Sequence, residues 1–192
     1  MCAQHVSIVI SCHLTDERQP ALLTETLASV AMQSRRDYEV VLLDDGSPLC
    51  VEDVVQGDGR TVIVRQENAG PALARNAGIA RSRGAYLIFL DADDHLLPPA
   101  IAAGLGAFGA HPEAGFVVGP REEITFDGRP VTWTVPPPPV ETRLYLSLLG
   151  FDRYIIPPSS AMFRCQVVDE IGGFRDAPVR HGTVSACFAA SV

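Results

Sequence analysis

Lysine is absent from this 192-residue chain: all fifteen basic residues are arginine. That excludes every mechanism needing a catalytic lysine. Positive charge is scarce altogether. Fifteen basic residues against 23 acidic ones leave a net charge of −8, the wrong sign for a general binder of phosphate backbones, so nucleic acid is not an expected partner. Cysteines are few and unpatterned. Cys2, Cys12, Cys50, Cys165 and Cys187 are odd in number and contain no CxxC pair, which argues against both a zinc site and a disulfide framework and for reduced thiols. No apolar run approaches the ~18 residues of a membrane span. The start, Met1-Cys2-Ala3-Gln4-His5, lacks the charged lead and long apolar segment of a signal peptide. The expected place of action is the cytoplasm, with contact to the membrane limited to its inner face.

What is present is a well-mixed globular sequence, 47% hydrophobic and long enough for one domain with a substantial core. Val6 to Ile10 is a β-branched run. After a polar break, Leu22, Leu23, Leu27, Val30 and Ala31 recur at helical spacing. Val40 to Leu43 predicts a second strand, ended by Asp44-Asp45-Gly46-Ser47-Pro48, whose Gly and Pro demand a turn. Thr61 to Val64 predicts a third strand, and Ala72 to Ala80 a helix with Pro71 in its first turn and Gly84 beyond its end. Ala85 to Phe89 is a fourth strand, Pro98 to about Ala110 a helix, and Phe116 to Val118 a fifth strand. Alternating strands and helices predict a mainly parallel α/β sheet covered on both faces, with ligands outside the carboxyl ends of its strands.

Beyond residue 120 the pattern changes. Asp127-Gly128 within Ile124 to Val135 predicts an antiparallel hairpin, and prolines 136 to 139 a stiff connector. Thr142 to Leu149 and Cys165 to Ile171 read as helices, the second ended by Gly172-Gly173.

The string Leu90-Asp91-Ala92-Asp93-Asp94 stands where the fourth strand ends. If the chain stays extended, Asp91 and Asp93 project to one side and Asp94 to another. Paired carboxylates stay ionised at low cost only with a cation or several donors between them, which suggests a divalent metal. The other reading is a solvated acidic turn. Asp44-Asp45 falls at another strand end on the same rim, and two clusters there are harder to dismiss as turn chemistry than one.

The ordered segments Val6-Ser7-Ile8-Val9-Ile10, YEVVLLDDGSP (38 to 48) and ENAGPALARNAGIARSRGAYLIFLDADD (67 to 94) resemble the family 2 glycosyltransferases. The resemblance runs from about Val6 to Phe174. It implies a GT-A fold, a Rossmann-like, mainly parallel sheet flanked by helices. It also implies a nucleotide-sugar donor, here expected to be UDP-linked, a Mg²⁺ or Mn²⁺ ion, and an acceptor of unassigned class: glycan, lipid or small molecule. Departure of a nucleoside diphosphate builds negative charge that a divalent ion neutralises.

On this resemblance Asp93 holds the ion, with Asp94 a weaker candidate. Asp91 contacts the ribose or assists the metal, so Asp91 and Asp93 are the candidate catalytic carboxylates. Asp45 is similar to the carboxylate that hydrogen-bonds the nucleotide base, while Asp44 points away and supports the turn. Ser11-Cys12-His13-Leu14 departs from the family's usual proline, variable residue, tyrosine and asparagine. Backbone contacts at Ser11 can survive that change, and His13 either stacks on the base or is solvated. Asn68 and Arg75 belong to the segment similar to the donor-binding helix, where a guanidinium reaches phosphate or sugar oxygens. Arg81 and Arg83 read as solvated.

Family 2 enzymes place an acidic signature, including the general base, shortly after the Gly-Gly-Phe that here is Gly172-Gly173-Phe174. This chain continues Arg175-Asp176-Ala177-Pro178 and has no further acidic residue to Val192. No general base is identified; Asp176 and His181 are substitutes without further support. The expected organisation is therefore a GT-A unit over 1–174, incomplete at its C-terminus, and a divergent tail over 175–192. The alternative to an active transferase is a truncated remnant that only binds the sugar nucleotide. A haloacid-dehalogenase-type phosphatase fits poorly, because its aspartate pair lies on the first strand, precedes Thr and often needs Lys. A nucleotidyltransferase needs a Gly-rich basic loop where Ser11 to Leu14 stands.

Overall fold

The computed structural model describes residues 5–55, 59–120, 122–125, 129 and 158–175. The segment predicted as a hairpin is seen only at Ile124, Thr125 and Arg129, where the Thr125 amide donates to the Arg129 carbonyl at 2.9 Å. The proline connector, the helix expected at 142–149, Asp176 and His181 lie outside the described residues.

The elements follow the predicted order: β1 (Val6–Cys12), α1 (Gln19–Ala31), β2 (Tyr38–Asp45), β3 (Thr61–Gln66), α2 (Pro71–Arg81), β4 (Tyr86–Asp91), α3 (Ala100–Ala110), β5 (Phe116–Val118), β6 (Ala161–Arg164) and α4 (Cys165–Glu170). They build a six-stranded sheet of order β3-β2-β1-β4-β6-β5. β1, β2, β3 and β4 run parallel, and β6 pairs antiparallel with both β4 and β5. The expectation of a mainly parallel α/β sheet holds. The sequence does not show β6, because Ala161 to Arg164, four residues directly before a helix, are too short a pattern to show a period.

Strand alternation divides the chain between two cores. Ile8, Ile10, Val40, Leu42, Ile88 and Leu90 face α1 and α3, meeting Leu23, Val30, Ile101, Leu105 and Phe108. Val9, Val41, Leu87 and Phe89 face the opposite layer with Ile79 of α2, Val168 of α4, and Phe174. Each fully buried Leu, Ile or Phe contributes roughly 1.5–3 kcal/mol over its exposed state, so these two faces fix the sheet. They also fix where strand-end residues point. Even-numbered β2 residues run toward α1, odd-numbered ones toward α2, and the acidic clusters inherit that parity.

The chain leaves β1 toward β2 on one side and occupies β4 on the other, so the connections part between β1 and β4. That is the position at which open α/β sheets form a crevice at the carboxyl ends of their strands. No helix among the described residues is long and apolar enough to cross a membrane.

Candidate functional site

Parity separates the two aspartates that end β2. Asp44 is fully buried; its Oδ1 accepts the Ser47 amide at 2.8 Å and its Oδ2 accepts Arg65 Nη1. Arg65 Nη2 donates to the Ser47 carbonyl at 2.8 Å, closing the turn with the same guanidinium. Asp44 thus supports the turn as expected. Asp45 lies on the α2 face. Its carboxylate accepts Gln66 Nε2 at 2.7 Å and the amides of Ala69 and Gly70, each at 2.9 Å. Three of its roughly four acceptor positions are filled from within the chain, and what they hold is the loop between β3 and α2. Gly46 permits this arrangement. Its φ is +74°, and a Cβ there would lie 2.8 Å from the Asn68 amide nitrogen.

The loop after β1 is tied to the same turn: the Leu14 amide donates to Ser47 Oγ at 2.8 Å, and the Leu14 side chain is buried. Between these anchors His13 stands exposed, each ring nitrogen 3.3 Å from the side-chain Nδ2 of Asn68, itself exposed. Ser11 pairs in register with Asp91 on one side and Leu43 on the other, at the crevice. Cys12 is buried beneath, and its thiol is pushed up to about 12 by burial and then by the charge of Asp44. It is a packing residue and not a nucleophile.

β4 stops at Asp91, and the Asp94 amide donates back to the Asp91 carbonyl at 3.1 Å. Asp91 to Asp94 is therefore a turn, and the period-two argument that set Asp91 and Asp93 on one side fails beyond Asp91. The three carboxylates are gathered by the turn instead of by alternation. Arg75 of α2 meets Asp91, with Nη2 2.6 Å from Oδ1; the guanidinium side chain is 7% exposed and the carboxylate 43%. Arg75 also lies over the Phe174 ring, 5.4 Å from its centroid. The charge expected to face donor oxygens faces Asp91.

Asp93 is exposed and Asp94 half-buried. Burial raises the Asp94 carboxyl above its ordinary value, the charges of Asp91 and Asp93 add to that, and a hydrogen bond from Ser159 opposes it. No group of three His, Cys, Asp or Glu side chains among the described residues is spaced to hold a metal by itself. A hard divalent ion held by one or two carboxylates and completed by phosphate oxygens and water fits this donor set. Asp93, with Asp94 beside it, would be the carboxylates to hold such an ion, whereas Asp91 is already paired with Arg75.

Arg83 departs from the solvated reading. Its side chain is 76% exposed, yet its Nε and Nη2 fork the Glu39 carboxylate at 2.9 and 2.7 Å. This pair sits at the opposite end of the sheet from the crevice and is structural. Arg81 is exposed. Sequence reading missed Gln66, which binds Asp45, and Asn76 and Phe174, which pack beside Arg75. The only signals for the last two were the Asn directly after Arg75 and the Phe directly after Gly172-Gly173.

The family model described as "Glycosyl transferase family 2" matches residues 7–172. The chain is 31% identical over 184 residues to the uncharacterised glycosyltransferase YwdF of Bacillus subtilis, covering 92% of this chain and 63% of that protein. Among solved structures, S. aureus TarS 1-349 in complex with UDP-GlcNAc superposes with a TM-score of 0.62 at 17% identity, covering 89% of this chain and 48% of that one. The mannosyltransferase PcManGT of Pyrobaculum calidifontis, in complex with GDP-Man and Mn²⁺, superposes with a TM-score of 0.64 at 20% identity, covering 88% and 47%. At these identities the structural likeness is one of fold. The chain spans 63% of the length of YwdF and smaller shares, down to 11%, of other curated relatives.

Proposed function

The chain belongs to glycosyl transferase family 2, and on that premise we propose that it transfers a glycosyl group from a UDP-linked donor to a hydroxyl-bearing acceptor, with Mg²⁺ or Mn²⁺ assistance. The observation that supports this reading is that Ser11, His13, Asp45, Asn68 and Asp91 to Asp94 all lie at or just after the carboxyl ends of the neighbouring strands β1 to β4, where the strand order parts. Both the nucleotide sugars and the Mn²⁺ named for the structural neighbours support the donor class.

In this reading His13 and Asn68 flank the nucleobase. Asp45 keeps the loop at Ala69 and Gly70 in place and uses its remaining acceptor position on the base. Asp91, oriented by Arg75, faces the ribose. Asp93 holds the divalent ion with Asp94 beside it. When bound, that ion supplies positive charge against the departing diphosphate. The donor-binding unit is 1–174, with 175–192 a divergent tail. A nucleotide-sugar donor and the free thiols Cys12, Cys50 and Cys165 favour the cytoplasm as the place of action, in solution or at the inner face of the membrane.

Isothermal titration of the purified chain with UDP and Mn²⁺ tests the donor half, and absence of heat at saturating metal defeats it. Donor hydrolysis or transfer, compared with Asp93→Ala, tests the catalytic half. Binding without turnover in either assay favours the alternative, a chain that only binds the sugar nucleotide.

A further inference from the structure

Asn76 follows Arg75 on α2, and its carboxamide is spent on a single residue 98 positions away. Nδ2 donates to the Phe174 carbonyl at 2.8 Å, and Oδ1 accepts the Phe174 amide at 2.8 Å. One side chain thus binds both main-chain groups of Phe174, as a neighbouring strand would. The approach is close: a Cβ at Gly173, whose φ is +73°, would lie 2.5 Å from Asn76 Oδ1. α4 delivers the segment to that spot, since the amides of Gly172 and Gly173 close its last turn on the carbonyls of Asp169 and Val168.

The Phe174 side chain then reaches back into the site. It is buried, meets Phe89 edge-on at 4.8 Å, and lies under the Arg75 guanidinium, whose other contact is the Asp91 carboxylate. Neighbouring residues of α2 therefore take hold of Phe174 in two ways, Asn76 by its backbone and Arg75 by its ring. A nearly buried guanidinium has few places to go. With the ring fixed beneath it and Asp91 in front, the direction of the Asp91 carboxylate depends on where Phe174 stands.

We propose that Asn76 is a positioning residue for the donor site: it pins Phe174, the ring of Phe174 seats Arg75, and Arg75 aims Asp91. The proposal rests on the glycosyl-transfer reading, since Asp91 matters here as a donor contact. The hydrogen bonds of the Asn76 side chain go to Phe174 and not to Asp91, so its effect on ligand binding passes through Phe174 and Arg75.

The test is the affinity for UDP at saturating Mn²⁺, measured for the wild type, Asn76→Ala, Asn76→Asp, Arg75→Met and the Asn76→Ala/Arg75→Met double variant, at a temperature where circular dichroism shows each folded. Asn76→Ala is expected to weaken UDP binding about 3- to 10-fold, the scale of coupling between residues in one network. Asn76→Asp, which keeps the acceptor for the Phe174 amide, is expected to recover part of that loss. The double variant should bind no worse than Arg75→Met alone, because both changes break one chain of contacts. A merely structural Asn76 lowers the melting temperature and leaves the affinity of the folded protein unchanged. That result overturns the proposal, as does a double variant whose losses multiply. If Asn76→Ala does not fold, Asn76→Asp decides: wild-type affinity there overturns the proposal. A wild type that binds no UDP overturns the glycosyl-transfer reading itself, an outcome distinct from wild-type binding that Asn76 variants leave untouched.

Discussion

Arg75 and Asp91 form an ion pair of unequal partners: the guanidinium is buried, the carboxylate is open to the crevice, and they stand 2.6 Å apart. Removing the carboxylate strands a buried charge, whereas removing the guanidinium leaves a carboxylate that water can reach. Asp91→Ala is therefore expected to destabilise the fold by about 2 kcal/mol, and more than Arg75→Met, whose side chain fills similar space. Urea unfolding of the two variants measures the difference, and an equal or reversed order contradicts the asymmetry.

Asp93 presents the opposite case. Exposed in a turn, it carries little of the fold, so Asp93→Ala is expected to change stability by less than about 0.5 kcal/mol. The same change should remove the Mn²⁺ dependence of UDP binding. Titration with and without metal measures it, and Mn²⁺-dependent binding that persists in Asp93→Ala excludes the residue as the metal ligand.

Gly46 holds a left-handed turn against Asn68. Gly46→Ala forces a Cβ into the Asn68 backbone at an unfavourable φ, at an expected cost of about 1–3 kcal/mol. Because the strained neighbour belongs to the loop that Asp45 holds, weaker UDP binding should accompany the loss of stability. Thermal melts and titration read both effects. Unchanged affinity would separate this loop from the donor.

Glu39 sets an acid limit on stability. Burial acts to raise its carboxyl. Hydrogen bonds from Ser7 Oγ at 2.7 Å, the Arg83 amide at 2.6 Å and the Arg83 guanidinium outweigh it and leave the value below the ordinary one. A depressed folded value means the stabilisation is complete above the unfolded carboxylate range, about 4.3, and is lost as pH falls through the lower folded value. Near neutral pH, Glu39→Gln is expected to be less stable than wild type by about 1–3 kcal/mol. That gap should close below about pH 4. Melting temperature against pH for both proteins tests it; a gap that stays constant into acid rules out this linkage.

The fold was largely legible because its signals are local. β-branched runs, Pro71 at the start of α2, and Gly172-Gly173 after α4 are read within a few residues, and the structure places elements there. β6 was not legible: its place between β4 and β5 is set by pairings with Tyr86 to Ile88 and Phe116 to Val118, which no local pattern encodes. At the site, the resemblance assigned Asp44 to the turn, and strand parity in the structure gives the reason, since Asp44 and Asp45 leave β2 on opposite faces. Alternation was also the argument for pairing Asp91 with Asp93. The same rule failed at Asp91, because it holds only while the chain stays extended and the strand ends there. Arg83 reads as solvated in the sequence because nothing near it reveals Glu39, 44 positions earlier.

By itself the sequence determined the family resemblance, the order of strands and helices, and the identity of the acidic residues that end β2 and β4. Those follow from residue type and spacing, which act over one turn of helix or a few strand residues. Tertiary structure alone decided which partner each charge received: Asp44 to Arg65, Asp45 to the loop at Ala69 and Gly70, Asp91 to Arg75, and Phe174 to Asn76. The physical reason is that such contacts join residues from 16 to 98 positions apart, and only the pairing of β2 with β3 and the packing of α2 and α4 on the sheet bring them within hydrogen-bond reach.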